Sequence, residues 1–249
     1  MKLNPTWTVA FFIYILYLVV IFATWYVTGA DYLKLTGADT IASFTVLPLF
    51  LGAVFLVFVL SHLGWWREVM TEDRKGGPGW ALWVVLAVTG GFVLLNVIGA
   101  DWTRITATHL MFLVLAAILV GFNEEALTRG ILVVGARGSK WSESLVWLSS
   151  SLAFGLLHLP NALFGLPLVA AIAQVGFAFL AGSGLYVLRR VSGSLLVPIA
   201  VHGAWDFATF SKGASGAEGS SAIQMFQFGT YIVSIVLVII VLRRDKRPS

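Results

Sequence analysis

The sequence predicts an all-α integral membrane protein, a bundle of about eight transmembrane helices around a polar intramembrane cavity. Apolar residues make up 59% of the 249 and charged residues only 11%, whereas a soluble domain averages roughly 25% charged residues. The apolar residues fall into long runs, many near the roughly 20 residues that cross a bilayer. Acids and histidines interrupt some of these runs, and such residues face a bundle interior rather than lipid.

Eight apolar segments account for most of the chain. The first is as long as a full span and lacks a clear small-residue cleavage site, which indicates a retained helix rather than a signal peptide. The fourth is too long for one plain span, so we expect its polar last turn to project past the membrane. The fifth and seventh are short, as is common for helices that line an internal cavity. The segments are Trp7–Thr28, Ile41–Ser61, Trp80–Ala100, Ile105–Ala136, Glu143–His158, Phe164–Leu188, Ser194–Phe210 and Ala222–Leu242.

The loop charges predict the orientation. Eight spans put both termini on one side, and 13 basic residues fall on that side or at its edge, against 3 on the other. This bias predicts both termini in the cytoplasm, and we expect a multi-pass protein of a bacterial inner (plasma) membrane. The first set is Lys2, Arg67, Arg74, Lys75, Arg129, Arg137, Lys140, Arg189, Arg190, Arg243, Arg244, Lys246 and Arg247, and the second is Lys34, Arg104 and Lys212.

Composition and organisation exclude several classes of protein. The net charge of +4 is modest and concentrated in loops, which favours contact with lipid headgroups and not with nucleic acid. Without cysteine there is no disulfide, thiolate nucleophile or cysteine-ligated metal. No internal repeat or separate soluble domain is evident. We therefore expect one compact domain, in which residues 1–104 supply the first three helices, 105–211 the next four, and 212–249 an outer loop, the last helix and a basic tail.

Four ionisable side chains lie inside three of the segments. Counted from the cytoplasmic helix ends at 1.5 Å per residue, Glu124 lies roughly 18 Å deep, His158 roughly 24 Å, His202 roughly 12 Å and Asp206 roughly 18 Å. These depths all fall near the middle of the membrane. We expect the four side chains to meet there.

The residue spacing around Glu124 and Glu125 predicts different roles for these two adjacent acids. Glu125 and Arg129 are i,i+4 with the acid first, the favourable order for an ion pair on one helix face. Glu124 is rotated by about 100° from Glu125 and can face another neighbour. We therefore predict a structural Glu125, paired with Arg129, and a chemical Glu124.

The same spacing recurs in the other two segments. His202 and Asp206 are i,i+4 on one face, and Phe154 and His158 repeat the pattern, which places an aromatic wall beside the imidazole. Pro160 is expected to end the fifth helix near His158.

The chemistry that such a cluster supports is hydrolysis. A buried glutamate can act as a general base toward water, and imidazoles can hold that water, bind a metal or stabilise an oxyanion. Two histidines with carboxylates also match a set of zinc ligands, here Glu124, His158, His202 and Asp206, so a divalent metal such as Zn²⁺ stays open as a cofactor. The HExxH helix of soluble zinc proteases is absent from the sequence.

Three short motifs follow one another in this order: EExxxR, FxxxH and HxxxD. Together they resemble the CPBP family, intramembrane proteases related to the type II CAAX prenyl endopeptidases and to bacteriocin-processing proteins. The resemblance covers roughly residues 115–207. The motifs are Glu124-Glu125-Ala126-Leu127-Thr128-Arg129, Phe154-Gly155-Leu156-Leu157-His158 and His202-Gly203-Ala204-Trp205-Asp206.

The resemblance implies an intramembrane endopeptidase that cleaves a membrane-associated protein or peptide, with residues 105–211 as its catalytic core. It implies that Glu124 and His158 activate water, while His202 and Asp206 stabilise the intermediate or bind a metal. Asp206 stands where the prenyl-protease branch has asparagine. An ionised aspartate cannot donate a hydrogen bond, so here it would orient His202, bind a metal or act in its protonated form.

Two other functions stay open at this stage. A non-enzymatic membrane scaffold or bacteriocin-immunity-type protein would use the same helices without the chemistry of Glu124. A proton-coupled transporter would use intramembrane acids and histidines as a relay, although the chain lacks the repeated halves that many transporters have.

Overall fold

The computed structural model describes residues 3–74 and 76–245. Within these ranges the chain forms nine helices and no strand, an all-α membrane protein. Four of the basic residues used to predict the orientation, Lys2, Lys75, Lys246 and Arg247, lie outside the described residues. The helices are α1 Trp7–Thr28, α2 Ala42–Leu63, α3 Trp66–Met70, α4 Gly79–Ile98, α5 Ala107–Gly138, α6 Glu143–Leu156, α7 Leu168–Ser192, α8 Leu196–Ala214 and α9 Ser221–Asp245.

Six of these helices, namely α1, α2, α4, α5, α7 and α9, are long and apolar enough to cross a membrane. The predicted fifth and seventh spans are helices too, but α6 has only 14 residues and α8 contains the polar His202, Asp206 and Lys212. The predicted number of eight is therefore approximate. The predicted sixth segment, Phe164–Leu188, begins and ends four residues earlier than the helix Leu168–Ser192.

The central helix α5 is 32 residues long. Its stretch Ala126–Leu132 has the wider π-helical hydrogen-bond pattern, which is rare and is found mostly at functional sites. Every residue from Glu125 to Ala136 is buried. This part of α5 therefore runs through the protein interior and presents the EExxxR motif to its neighbours rather than to lipid.

Glycines let α8 lie against α5. A Cβ atom on Gly121 would be 2.6 Å from the carbonyl oxygen of Ile199 and 2.9 Å from the nitrogen of Gly203. A Cβ on Gly203 would in turn be 3.0 Å from the carbonyl oxygen of Ala117. Small residues at such contacts allow membrane helices to approach closely. The close contact brings His202, next to Gly203, beside the two glutamates of α5.

A buried ionic network joins the ends of α5, α6 and α7 to the segment after α3. Arg137 bonds to Glu72 at 2.8 Å and to Glu143 at 2.5 Å, while Arg189 bonds to Glu72 at 3.1 Å and Arg190 to Glu143 at 3.1 Å. Although burial opposes it, Arg137 and Arg189 hold the pKa of Glu72 below its ordinary value. Basic residues that the sequence marks as topology signals are thus also structural partners of acids.

Candidate active site

Glu125 forms the buried base of the site. Its carboxylate is fully buried and its Oε1 accepts from Arg129 Nη1 at 2.8 Å, so the ion pair predicted from the i,i+4 spacing is present. The same oxygen lies 2.8 Å from Nδ1 of His202. Glu125 therefore couples the arginine of α5 to the histidine of α8 and fixes the orientation of the imidazole ring.

His202 is surrounded by carboxylates. Its Nδ1 faces Glu125, and its Nε2 lies 3.4 Å from Asp206 Oδ2 and 3.9 Å from Glu124 Oε2. With acceptors on both sides, the ring is placed to donate hydrogen bonds from both nitrogens. Such an imidazole is suited to stabilise negative charge that develops beside it.

The carboxylate of Glu124 has no close ion pair, since its nearest charged neighbour is Nε2 of His202 at 3.9 Å. Its Oε2 is buried and has no hydrogen-bond partner among the described residues. The side chain is 18% exposed and lines a cavity of about 190 Å³. Buried polar groups are normally hydrogen-bonded, so an unsatisfied one in a cavity points to water or a ligand. Glu124 is thus available for chemistry, whereas Glu125 is occupied.

His158 reaches the same cavity from the end of α6. The α-helix ends at Leu156, and Pro160 is the second residue of the short turn Leu159–Phe164, so the helix ends near His158 as the position of the proline predicts. The Nδ1 of His158 lies 3.0 Å from the carbonyl oxygen of Phe154. Because a carbonyl can only accept, Nδ1 carries the proton and Nε2 is left as an acceptor. That acceptor can hold a water molecule.

Phe154 is the aromatic wall of the site. Its ring packs edge-on against His158 at 5.5 Å and against His202 at 5.4 Å between ring centroids. The guanidinium carbon of Arg129 lies 3.9 Å from its centroid, a cation–π contact. A Cβ on Gly182 would meet both Arg129 and Phe154, so this glycine leaves the space in which they stack.

Two cavities meet at these residues. The smaller one, of about 190 Å³, contains Glu124, His158, His202 and Asp206 on its wall. The larger one, of about 450 Å³, shares His158, His202 and Asp206 and is otherwise lined mainly by apolar side chains of α4, α6, α7, α8 and α9. The ionisable cluster therefore lies where two mainly apolar cavities meet, and Glu124 lines only the smaller of the two.

The sequence pattern missed part of the polar wall. Asn161 Nδ2 donates to Gln174 Oε1 at 3.1 Å, and Gln174 Nε2 donates to the hydroxyl of Tyr32 at 2.6 Å. Gln174 lies within the predicted sixth segment, Phe164–Leu188. A polar side chain in a span was a signal for it, but nothing marks Tyr32 in its turn between the first two helices.

Whether the predicted metal set fits a metal can be tested on the geometry. In the described ranges, no group of three or more histidine, aspartate or glutamate side chains has the arrangement of metal ligands. Nδ1 of His202 is taken by Glu125 and its Nε2 faces Asp206. Glu124, His158, His202 and Asp206, as they are arranged here, therefore do not fit a metal ion.

This fold and site define a polytopic membrane protein with a buried acid–histidine cluster. A family model described as Type II CAAX prenyl endopeptidase Rce1-like matches residues 104–208, which confirms the family resemblance predicted from the three motifs. No curated protein and no solved structure shows significant similarity to the chain. The match covers less than half of the 249 residues and shows that this part of the chain is similar to that family.

Proposed function

We propose that the protein is an intramembrane endopeptidase that uses Glu124 as its general base. The observation that carries the proposal is the difference between the two adjacent glutamates. Each glutamate has one buried oxygen without a hydrogen-bond partner, but Glu125 is held through its other oxygen by Arg129 and His202. Glu124 has no such bond and lines the smaller cavity, whose lining residues do not include Glu125. A structural ion pair alone would not need the second acid.

In the proposed reaction, a water molecule lies between Glu124 and the acceptor Nε2 of His158. Glu124 takes one proton as the water oxygen forms a bond to the peptide carbonyl carbon. Glu125 orients the ring of His202 through Nδ1, and the hydrogen bond from Nε2 passes from Asp206 to the oxyanion as its charge develops. The carbon–nitrogen bond then breaks and Glu124 gives its proton to the leaving nitrogen, which yields a carboxylic acid and an amine.

The two cavities suggest how a substrate would lie. The scissile bond occupies the smaller cavity beside the acids and histidines, and an apolar segment or lipid-modified end of the same substrate occupies the larger one. The substrate class is accordingly a membrane-associated protein or peptide. Residues 105–211 act as the catalytic core, and the termini face the cytoplasm.

The proposal is tested by comparing peptide termini by mass spectrometry in membranes that contain equal amounts of wild type or Glu124→Gln. The matched control is Glu218→Gln, because Glu218 is an exposed acid between α8 and α9. We expect new termini in membrane-associated proteins with the wild type and with the control, but not with Glu124→Gln. The same termini with all three proteins, or none with any, would contradict the proposal.

A function that depends on the helices alone would respond differently. A scaffold would keep its cellular effect in Glu124→Gln, since the amide preserves the shape of the side chain. A proton-coupled transporter would give a pH-gradient-driven flux in liposomes that Glu124→Gln abolishes without any change in peptide termini.

A further inference from the structure

We propose that the hydroxyl of Tyr32 is a further catalytic group, a hydrogen-bond donor to the oxyanion that forms in the smaller cavity. This inference rests on the proposed function and concerns a residue outside the segment 104–208 that resembles the protease family. Tyr32 lines both cavities. It shares the wall of the smaller one with Glu124, His158, His202 and Asp206.

The hydrogen bonds around Tyr32 leave its proton free. Asn161 donates to the amide oxygen of Gln174, so the amide nitrogen of Gln174 points to Tyr32. An amide nitrogen can only donate, and the phenol oxygen therefore accepts this bond, which is 2.6 Å long. Among the described residues no acceptor takes the Tyr32 proton, which is available to a group in the cavity.

The position of Tyr32 is fixed by its own turn. Asp31 caps the short helical turn Tyr32–Lys34 through a bond from the nitrogen of Leu33 at 3.0 Å. The ring of Tyr32 packs edge-on against Trp25, with centroids 6.2 Å apart. A donor held in this way reaches the reacting atoms without reorganisation, which is what makes an oxyanion donor effective.

Asp206, the acid of the third motif, leaves the site in need of a second hydrogen-bond donor, and Tyr32 can supply it. Asp206 accepts hydrogen bonds when it is ionised and cannot donate to an oxyanion. The site otherwise has His202 as its donor beside Glu124. Burial raises the pKa of Tyr32, so its hydroxyl stays protonated at neutral pH. A phenol that keeps its proton supplies the second donor that the site needs.

The test is steady-state kinetics of Tyr32→Phe on a substrate that the purified wild type cleaves. Loss of one oxyanion donor typically lowers kcat by about 10²–10³-fold, so we expect a fall of about 100-fold with a nearly unchanged KM. The control is Tyr26→Phe, since Tyr26 is 82% exposed on α1. A kcat for Tyr32→Phe within about threefold of wild type would overturn the inference and leave the proposed function intact.

A second variant keeps the tyrosine in place. In Gln174→Glu both side-chain oxygens accept, so Asn161 still donates to one and Tyr32 turns its proton to the other, away from the cavity. We expect a loss of kcat comparable to that of Tyr32→Phe, with Gln224→Glu, an exposed glutamine of α9, as the unaffected control. Wild-type kcat in Gln174→Glu would contradict the donor role, whereas an inactive wild type would contradict the proposed function itself.

Discussion

Two adjacent glutamates of α5 have opposite surroundings. Glu125 is bonded to an arginine and a histidine, and both contacts are 2.8 Å. Glu124, one residue earlier, has no such bond and lines the smaller cavity, although each glutamate has one buried oxygen without a partner. A rotation of about 100° per residue separates the two directions. Adjacent positions on one helix thus place Glu125 in a structural ion pair and leave Glu124 available for catalysis.

A third acid, Glu72, contributes to stability in a pH-dependent way. Its folded-state pKa is depressed, so its stabilising effect is complete above its unfolded-state pKa, about 4.3 for glutamate, and is lost as the pH falls through the folded-state value. We expect Glu72→Gln to lower the free energy of unfolding at pH 7 by about 1.5–3 kcal/mol, the value of hydrogen bonds to charged groups.

The measurement is thermal unfolding of purified protein in detergent from pH 7 down to pH 3. The wild type should lose more stability on acidification than Glu72→Gln, so the two curves should converge at low pH. Glu68→Gln is the control, because Glu68 is an exposed acid four residues earlier. Parallel curves for wild type and Glu72→Gln would show that the ionisation of Glu72 does not contribute to stability.

Local pairs could be predicted at the residue scale. The Glu125–Arg129 and Phe154–His158 contacts follow from i,i+4 spacing on single helices. The bond between Glu125 and His202 spans 77 positions of the chain, and no local rule specifies it. Arg189 and Arg190 have the pattern of topology charges, yet both are buried beside acids that lie far away in the sequence.

At the scale of elements, the contact between α5 and α8 positions the site. Gly121→Ala would place a methyl carbon 2.6 Å from the carbonyl oxygen of Ile199, so the two helices must separate. The separation weakens the 2.8 Å contact between His202 and Glu125. We expect Gly121→Ala to lower activity at least about tenfold, in line with the sensitivity of catalysis to displacements near 1 Å.

The comparison for this prediction is Gly176→Ala. A Cβ at Gly176 meets no atom within 4 Å, so the substitution adds helix propensity without a clash. Activity per folded molecule, measured on membranes normalised by protein level, separates the two variants. Equal activity of Gly121→Ala and wild type would mean that the close approach of α5 and α8 does not position the site.

The glycines of α7 differ in whether they allow a close contact with a neighbouring residue. Gly182 and Gly184 of α7 each have a neighbour where a Cβ would lie, Arg129 and Ser234 respectively, but Gly176 faces open space. Glycine spacing indicates which helix faces are able to approach. It does not indicate which partner fills the groove, because that depends on residues distant in the sequence.

At the scale of the whole molecule, the protein is a multi-pass membrane protein whose orientation is a prediction from its charges. The chain has no cysteine, so a single introduced cysteine reports the side on which it lies. Asp73, after α3, and Ser220, before α9, are both exposed. The predicted orientation puts Asp73 in the cytoplasm and Ser220 outside.

In intact cells, a membrane-impermeant maleimide should label Ser220→Cys and not Asp73→Cys, and both should react after the cells are broken. The cysteine-free wild type measures background labelling. Labelling of Asp73→Cys alone in intact cells would show that the orientation is opposite to the predicted one. The prediction rests on a property of the whole chain, since single loops carry few charges.

The sequence predicted the all-α membrane fold because hydropathy reflects the solvent, which acts on every residue in the same way. Hydropathy defined the boundaries of α6 and α8 less well because polar residues, such as Ser149–Ser151 and Asp206 with Lys212, interrupt their apolar runs. The position of Tyr32 in the cavity wall could not be predicted, since it depends on the packing of a turn against Gln174 of α7. The helices were thus predictable, and much of the cavity wall was not.

The role of Glu124 as general base is tested most directly by comparing Glu124→Gln with Glu125→Gln in purified protein, by the rate of cleavage of one defined substrate and by thermal unfolding. Glu124→Gln should lower kcat by at least about 100-fold, the lower range for general-base catalysis, with unchanged or higher stability. Glu125→Gln should lower stability by about 3–5 kcal/mol, because Arg129 loses its buried counter-charge. Full activity in Glu124→Gln would contradict the central claim.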